Sequence, residues 1–537
     1  VTEKGIRERQ MSEQFDYIVI GGGSGGSAVA GRLAEDGKRT VCVLEAGGRN
    51  DNLFVKTPGL MPFITGASNY RYETVPQKGL NGRTGYQPRG RGLGGSSAIN
   101  AMIYIRGNRW DYDNWAAMGC TGWSYHDVLP YFKKSEGNER GASEYHGANG
   151  PLFVSDQHHV NEASRAFVES ASQLQLPVRD DFNAEEQAGF GFYQVTQHNG
   201  ERWSAARAYV EPMRGADNFH IKTKTLVERI ILENGRATGV AVREGRKRKT
   251  IVARHGVILA AGAFNSPQIL MLSGIGPAEH LRAHGIEVRL DRKEVGQNLH
   301  DHIDYVSSWE TQSNVPFGDS REGTLRSLKA VIEHRRKRTG MMTTPYAEAG
   351  GFWKVMDDAP APDVQWHWVP AMLEDHGREK VKGHGFSLHA CVLRPESRGT
   401  VTLNSGEAID APRIDPNFLD DERDMAVLRA GVRLSHRIVQ APALSAYGPT
   451  DRYPVDLDDD AALDDLIRSR ADTVYHPVGS CRMGADEDSV VDPQLKVRGV
   501  EGLWIADASI MPQVVSGNTN APSIMIGERC ADFIKAR

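Results

Sequence analysis

The segment from Phe15 to Glu45 constrains the fold more than any other. Phe15-Asp-Tyr-Ile-Val-Ile20 is a short β-branched apolar run, Gly21-Gly-Gly-Ser-Gly-Gly26 follows without a spacer, and Ser27–Glu35 continues in a helical pattern. A strand, a glycine turn and a helix in that order open a βαβ unit. Gly21, Gly23 and Gly26 keep the G-x-G-x-x-G spacing. The first permits the tight turn, the second lets a pyrophosphate approach the backbone, and the third allows the helix to pack closely on the strand. The phosphates would rest on the helix N-terminus, where unpaired N–H groups and the dipole favour an anion. Thr40-Val-Cys-Val-Leu44 reads as the second strand and ends at Glu45, about 20 residues past the glycines, where an acid can bind a ribose hydroxyl pair. These features predict a dinucleotide site, and they do not separate NAD from FAD.

A chain of 537 residues is too long for one ordinary core, so two domains are expected. With 64 Lys and Arg against 69 Asp and Glu, the net charge of −5 argues against nucleic acid as a partner, because phosphate binding depends on excess cations. Arg246–Lys249 reads as a hairpin tip between strands at Ala237–Val242 and Thr250–Ala253, and His334–Arg338 as the cationic end of a helix. The five cysteines are scattered with no CxxC pair, which disfavours a disulfide framework or a zinc site and fits a reducing compartment. No apolar run approaches the roughly 20 residues of a membrane span. Val1–Gln10, before Met11, has no apolar core and reads as an added or start-site extension rather than a signal peptide. The expected location is cytoplasmic, with a peripheral membrane association compatible.

Gly90-Arg-Gly-Leu-Gly-Gly-Ser-Ser-Ala-Ile-Asn100 is a second glycine-dense loop, whose small residues let backbone approach a flat ring and a pyrophosphate. A flexible linker would be more uniformly polar than a loop containing Leu93 and Ile99. This loop, running on to Asp113, resembles the first signature of the glucose-methanol-choline (GMC) oxidoreductases. Gly262–Gly276 is similar to the second. The resemblance continues through Gly296–His302, His476–Gly484, Ile505–Pro512 and Ser516–Asn520, in one order over nearly the whole chain. Bacterial sorbose, choline and polyethylene-glycol dehydrogenases are nearest in look, through His146–Leu152 and Ile505–Ile526, which are scaffold segments.

The resemblance implies an α/β fold, a Rossmann-like FAD-binding domain with an inserted antiparallel-sheet substrate domain. It implies FAD held by Gly21, Gly23, Ser24, Gly26, Glu45 and Ala46 at the ADP end. Arg91, Gly94, Gly95, Ser96, Asn100 and Ala101 would lie along the pyrophosphate and flavin, Val227 against adenine, and Ala261, Asp507, Ala508, Asn520 and Pro522 over the ribityl chain and ring. Some members bind flavin covalently through a histidine in the first loop. The matching place here reads as Ala98, so the FAD is expected to be non-covalent.

Oxidising an alcohol requires a base within hydrogen-bond reach of the hydroxyl, and histidine has a suitable pKa. Among 18 histidines a random one is more often a surface or core residue, and His476 is singled out by its match to the family's catalytic histidine. Its partner, by the same resemblance, is Asn518, six residues beyond Pro512, whose amide can donate to the substrate oxygen. Taken alone, Asn518 also suits a turn. The expected reaction is hydride transfer from a primary alcohol, sugar alcohol or similar polyol to flavin N5, with His476 as general base and a quinone or dye as acceptor. The alternatives are oxygen as acceptor, giving peroxide, and a lyase or non-redox flavin protein of the same fold.

His300-Asp-His302 has too few neighbouring ligands for a metal site, and none is expected. The flavin segments are split along the chain, at residues 12–160, 200–305 and 471–537, leaving 161–199 and 306–470 for the substrate domain. In the insert, Phe386–Leu393 and Gly399–Leu403 read as strands of one antiparallel sheet and Asp421–Val439 as a helix. The run Asp456–Asp465 reads as the acidic start of a helix ending in arginines. Phe352, Trp366 and Trp368 are candidates for the pocket wall, although aromatics at strand spacing are more often core. Glu348 could meet a cationic substrate or serve as an ion-pair partner.

Overall fold

A computed structural model describes residues 13–536, and the extension expected at residues 1–10 lies outside the described residues. The first of two large sheets is built on the predicted βαβ opening. Gln14–Ile20 lies between Val41–Leu44 and Lys247–Leu259 and parallel to both. Phe219–Lys222 extends this parallel sheet beyond Val41–Leu44, and Leu503–Ile505 adds to Lys247–Leu259. Helices cover such a sheet on both faces, so its strands read as continuous apolar runs, and all of Val41–Leu44 is buried.

The long strand Lys247–Leu259 belongs to two structures at once. Its first half runs antiparallel to Arg236–Glu244, which pairs in turn with Thr225–Glu233, and its second half enters the parallel core. The hairpin turns at Gly245-Arg246, with Gly245 at φ +60°, so Lys247–Lys249 stand inside a strand and not at the expected tip.

The second sheet is antiparallel, in the order Thr450–Asp451, Ile303–Thr311, Gly383–Val392, Val364–Val369, Ala349–Trp353, Gly189–Phe192. Asp472–Thr473 also pairs with Ile303–Thr311, so this sheet begins at Ile303 and takes its last residue from Thr473. Helices Glu162–Gln173 and Glu422–Gln440 back it, the latter capped by Asp421. Asp460–Arg470 packs on Glu422–Gln440, with Asp459 accepting from the Ala461 and Ala462 N–H groups and arginines in the last turn, as its charge pattern predicts. Thr400–Thr402 does not join the sheet. The Val401 N–H goes to Gly296 O and Gly399 pairs with Leu299, which leaves this segment to form a separate ribbon with Arg413–Asp415.

Two of the three aromatic candidates fall on the wrong side of their strand for a pocket. Trp366 and Trp368 alternate with His367, and they pack towards the helices, donating to Ser435 Oγ at 2.9 Å and Ser164 Oγ at 3.1 Å. Phe352 stands opposite Gln365, on the His367 face, and is wholly buried there against Phe182 and Tyr193. Strand alternation therefore turns His367 and Val369, not the tryptophans, towards the other sheet. All five cysteines are buried and free of disulfides. No helix among the described residues is long and apolar enough to cross a membrane.

Candidate active site

A cavity of about 1730 Å³ lies between the carboxyl ends of the parallel strands and the inner face of the antiparallel sheet. That is well beyond the ~300–1,000 Å³ of a drug-sized pocket and leaves room for a dinucleotide and a substrate together. Of the sequence-predicted residues, Gly21, Gly23, Ser24, Glu45, Ala46, Arg91, Gly95, Ser96, Asn100, Ala101, Val227, Ala261, Asp507, Ala508, Asn520, His476 and Asn518 line it. Gly26, Gly94 and Pro522 stand behind the wall. A Cβ at Gly26 would lie 2.0 Å from Gly21 O, so this glycine serves the close approach of helix and turn. Gly94 donates to Gly22 O at 2.7 Å, and Pro522 is buried in the helix Asn520–Lys535.

The two glycine loops form one cradle. A Cβ on Gly95 would come within 2.7 Å of Gly23 Cα, so the turns touch backbone to backbone. Glu45 ties them together: its carboxylate accepts from Gly22 N at 3.0 Å, Gly47 N at 2.8 Å and Gly92 N at 2.9 Å. Burial pushes this carboxyl above its ordinary pKa and the three backbone donors pull it back. The sequence led to the expectation of a ribose ligand and did not reveal this brace. Two observations fit a bound pyrophosphate. The helix Ser24–Ala34 starts at Gly23 with no side-chain cap, leaving its first N–H groups open, and the cationic Arg91 lines the cavity beside it. Deeper in, Asp507 accepts from Gly262 N at 2.9 Å and Ser266 Oγ at 2.6 Å, which fixes the start of the following helix against the cavity.

The proton-handling end is a buried array of imidazoles. His476 follows Tyr475, whose backbone is left-handed at φ +72°, an uncommon conformation for a bulky residue. Asp301 holds the turn from inside, accepting the His476 N–H at 2.7 Å and the Thr473 hydroxyl at 2.5 Å. Burial raises Asp301 to about 6. The ring nitrogens of His476 reach two partners: Nδ1 lies 3.0 Å from His302 Nδ1, and Nε2 lies 3.1 Å from Asn518 Nδ2. Asn518 is oriented by its other end, where Oδ1 accepts from Gln365 Nε2 at 3.1 Å.

These contacts favour one set of tautomers, with the Val515 carbonyl as a further acceptor beside the His302 ring. His302 Nε2 lies 3.1 Å from Leu393 O, and a carbonyl only accepts, so this nitrogen carries the hydrogen. Burial lowers His302 to about 4, so it is neutral near pH 7 and its Nδ1 is bare. In this set His476 donates from Nδ1, which leaves Nε2 with its lone pair, facing Asn518 and the cavity. Burial first, and His302 and His367 next, hold His476 well below the ordinary histidine range. His367 Nε2 is 3.5 Å from Asn518 Nδ2, and burial lowers this third imidazole to about 3. His389 also faces the cavity, and its Nδ1 is 2.5 Å from the buried carboxylate of Asp304.

Sequence reasoning did not reach His302, His367, His389 or Asp304 as members of the site. In the sequence the H-D-H run resembles a family segment and is weighed against a metal cluster, with no role given to His302; alternation along Val364–Val369 could have found His367. His300 takes no part in this array: its Nε2 accepts from Val514 N at 2.9 Å and its Nδ1 meets Asn298 O at 2.7 Å. Glu348 meets neither expectation. It is buried away from the cavity wall and accepts from Asn161 N, Ser164 Oγ and Thr344 Oγ1 at 2.8, 2.7 and 2.8 Å, a hydrogen-bonding hub and not an ion pair.

A Rossmann-type cradle that opens onto an antiparallel sheet, with buried imidazoles at their junction, is the architecture of a dinucleotide-binding protein. Comparison with known proteins specifies which. Family models for GMC oxidoreductase match residues 15–304 and 395–527. The chain is 42% identical over 528 residues to alcohol dehydrogenase [acceptor] of Pseudomonas putida, covering 97% of this chain and 95% of that one. It is 41% identical over 532 residues to oxygen-dependent choline dehydrogenase of Brucella ovis, covering 98% and 96%. Pyridoxine 4-oxidase from Mesorbium loti superposes with a TM-score of 0.88 at 30% identity, covering 97% of this chain and 99% of that one. The chain therefore belongs to the GMC oxidoreductase family, FAD-dependent enzymes acting on CH–OH donors.

Proposed function

We propose that this enzyme oxidises a primary alcohol bearing an apolar substituent to the aldehyde and passes the electrons to a quinone-type acceptor. The observation that carries the reading is the pairing of a bare His476 Nε2 with the Asn518 amide, 3.1 Å apart on the cavity wall. A substrate hydroxyl placed against both gives its proton to Nε2, while the Asn518 N–H stabilises the charge that develops on oxygen. The chemistry FAD supplies when bound is acceptance of the carbinol hydride. Ser96 and Ile99 face the cavity from the second glycine loop, whereas Ala98 packs behind them, and neither Ile99 nor Ala98 carries a nucleophile, which supports a dissociable cofactor. The split of the chain into flavin segments 12–160, 200–305 and 471–537 and an inserted substrate unit is part of the same reading.

The substrate class follows from the wall beside His367. Ile103, Ala347 and Val369, with the half-buried Tyr346, Ala371 and Leu373, form an apolar cluster that borders the cavity. A polyol would lose water there without gaining partners, at about 1–3 kcal/mol per unpaired hydroxyl. Two buried carboxylates of this region are engaged elsewhere, Asp304 by His389 and Glu348 by its three donors. Anaerobic addition of octanol, benzyl alcohol, choline and sorbitol to the purified holoenzyme, followed at the flavin band, tests the reading. Octanol or benzyl alcohol should bleach the band fastest. Faster bleaching by choline or sorbitol refutes the substrate class, and a protein that cannot be loaded with FAD refutes the whole assignment.

A further inference from the structure

The cavity mouth carries a surface that the chemistry above does not use. Among the described residues ten large hydrophobic side chains are exposed, and six of them, Leu53, Phe54, Phe63, Leu325, Leu328 and Ile332, belong to segments that pack in series around this mouth. The short helix Leu53–Lys56 rests on the turn Pro58–Phe63, this turn on Met341–Thr343, and that on the helix Arg321–Lys337. Phe63, Gly323, Thr324 and Ser327 themselves border the cavity.

The helix Arg321–Lys337 is amphipathic in an inverted sense. Its inner face is small and polar: Gly323, Ala330 and His334 are buried, and His334 Nε2 lies 2.8 Å from Gly200 O. At about 100° per residue, Leu325, Leu328 and Ile332 fall on the opposite, outward face, and they are 60%, 59% and 54% exposed. Arg321, Lys329, Arg335 and Arg336 stand exposed among them. The helix holds six Lys and Arg against two Glu, while the chain as a whole is at −5. A folded monomer gains nothing by placing three large aliphatic side chains on the outer face of a helix, and such patches mark interaction sites.

We propose that this face docks the enzyme on an anionic lipid bilayer, with the cavity mouth at the membrane surface. Leucine and isoleucine would enter the acyl boundary while the long cations snorkel to the headgroup phosphates. Charge favours this occupant over a second copy of the chain, because a two-fold contact would bring the same cationic face against itself. The proposal rests on the quinone reading only for its purpose, delivery of an apolar acceptor from the bilayer to the mouth.

Sedimentation of the holoenzyme with vesicles of phosphatidylcholine, alone or mixed with phosphatidylglycerol, tests it without turnover, so its failure is distinct from failure of the catalytic reading. The wild type should bind the mixed vesicles and bind phosphatidylcholine weakly. The triple variant L325S/L328S/I332S and the charge variant R335E/R336E should each lower partitioning at least about tenfold. Both should keep the flavin spectrum and the activity with a soluble dye. Absence of binding to mixed vesicles, or equal binding by wild type and both variants, overturns the proposal. So does a concentration-dependent dimer that the triple variant abolishes, since the face would then belong to a second copy.

Discussion

Replacing His302 by leucine is the sharpest test of how this site works. The side chain is buried, touches no solvent, and meets His476 Nδ1 at 3.0 Å and Leu393 O at 3.1 Å. In the proposed mechanism it is a positioning residue that sets which nitrogen of His476 serves as the base. When His476 takes a proton, its Nδ1–H becomes a charged donor, and a hydrogen bond to such a donor is worth about 1.5–3 kcal/mol. That bond strengthens only as the reaction proceeds, so its loss should appear in kcat, by about 10- to 150-fold at 1.4 kcal/mol per decade. KM should change little, because substrate is held by the apolar wall. His302→Gln can present a carbonyl oxygen to His476 and an N–H to Leu393, and should recover a large part of the rate. Stopped-flow measurement of anaerobic flavin reduction checks this, with flavin content as the folding control. A leucine variant that retains flavin and is reduced within about threefold of the wild-type rate refutes the tautomer argument.

Three further outcomes are expected. Asn518→Leu removes the donor 3.1 Å from His476 Nε2 and should lower kcat by about 10²–10³, read in the same reduction assay. A base works in its neutral form, and burial holds His476 well below the ordinary histidine range; the acid limb of kcat/KM should therefore lie below pH ~6.5, and a limb centred at or above it would contradict the burial argument. Gly95→Ala forces a Cβ to within 2.7 Å of Gly23 Cα at a residue with φ +50°, and should yield protein with little bound flavin, measured as the ratio of visible to ultraviolet absorbance.

What was legible in the sequence was whatever depends on local spacing. The glycine turn, the buried strands and the acid at Glu45 declare themselves because close backbone approach admits only glycine and a doubly covered strand admits only apolar residues. The same locality explains the errors. Trp366 and Trp368 look like pocket residues by type, yet strand parity, set by which face the helix Glu422–Gln440 covers, turns them away and presents His367. Thr400–Thr402 has strand composition, but its partner was decided by the distant Gly296 and Leu299.

His302 shows why the proton-handling machinery was only half readable. His476 and Asn518 lie 42 residues apart and could be given roles by motif, while His302 is 174 residues from His476 and lay in a matched segment that carried no role for it. The physical cue was the absence of a third ligand. Two histidines flanking a buried aspartate must find partners, because unpaired polar groups in a core are costly. His300 resolves this with backbone at Asn298 and Val514, Asp301 with the Thr473–His476 turn, and His302 with Leu393 and His476. The run is thus a bracket that clamps the catalytic turn from one side, and its central residue and its last one act on the same histidine through different atoms. Asp301 sets where the His476 backbone lies; His302 sets which ring nitrogen is free. Asp301→Asn should consequently disturb the placement of His476 and weaken substrate binding and turnover together. His302→Leu should leave binding intact and slow only the chemical step, and equal KM effects in the two variants would show that the two roles are one.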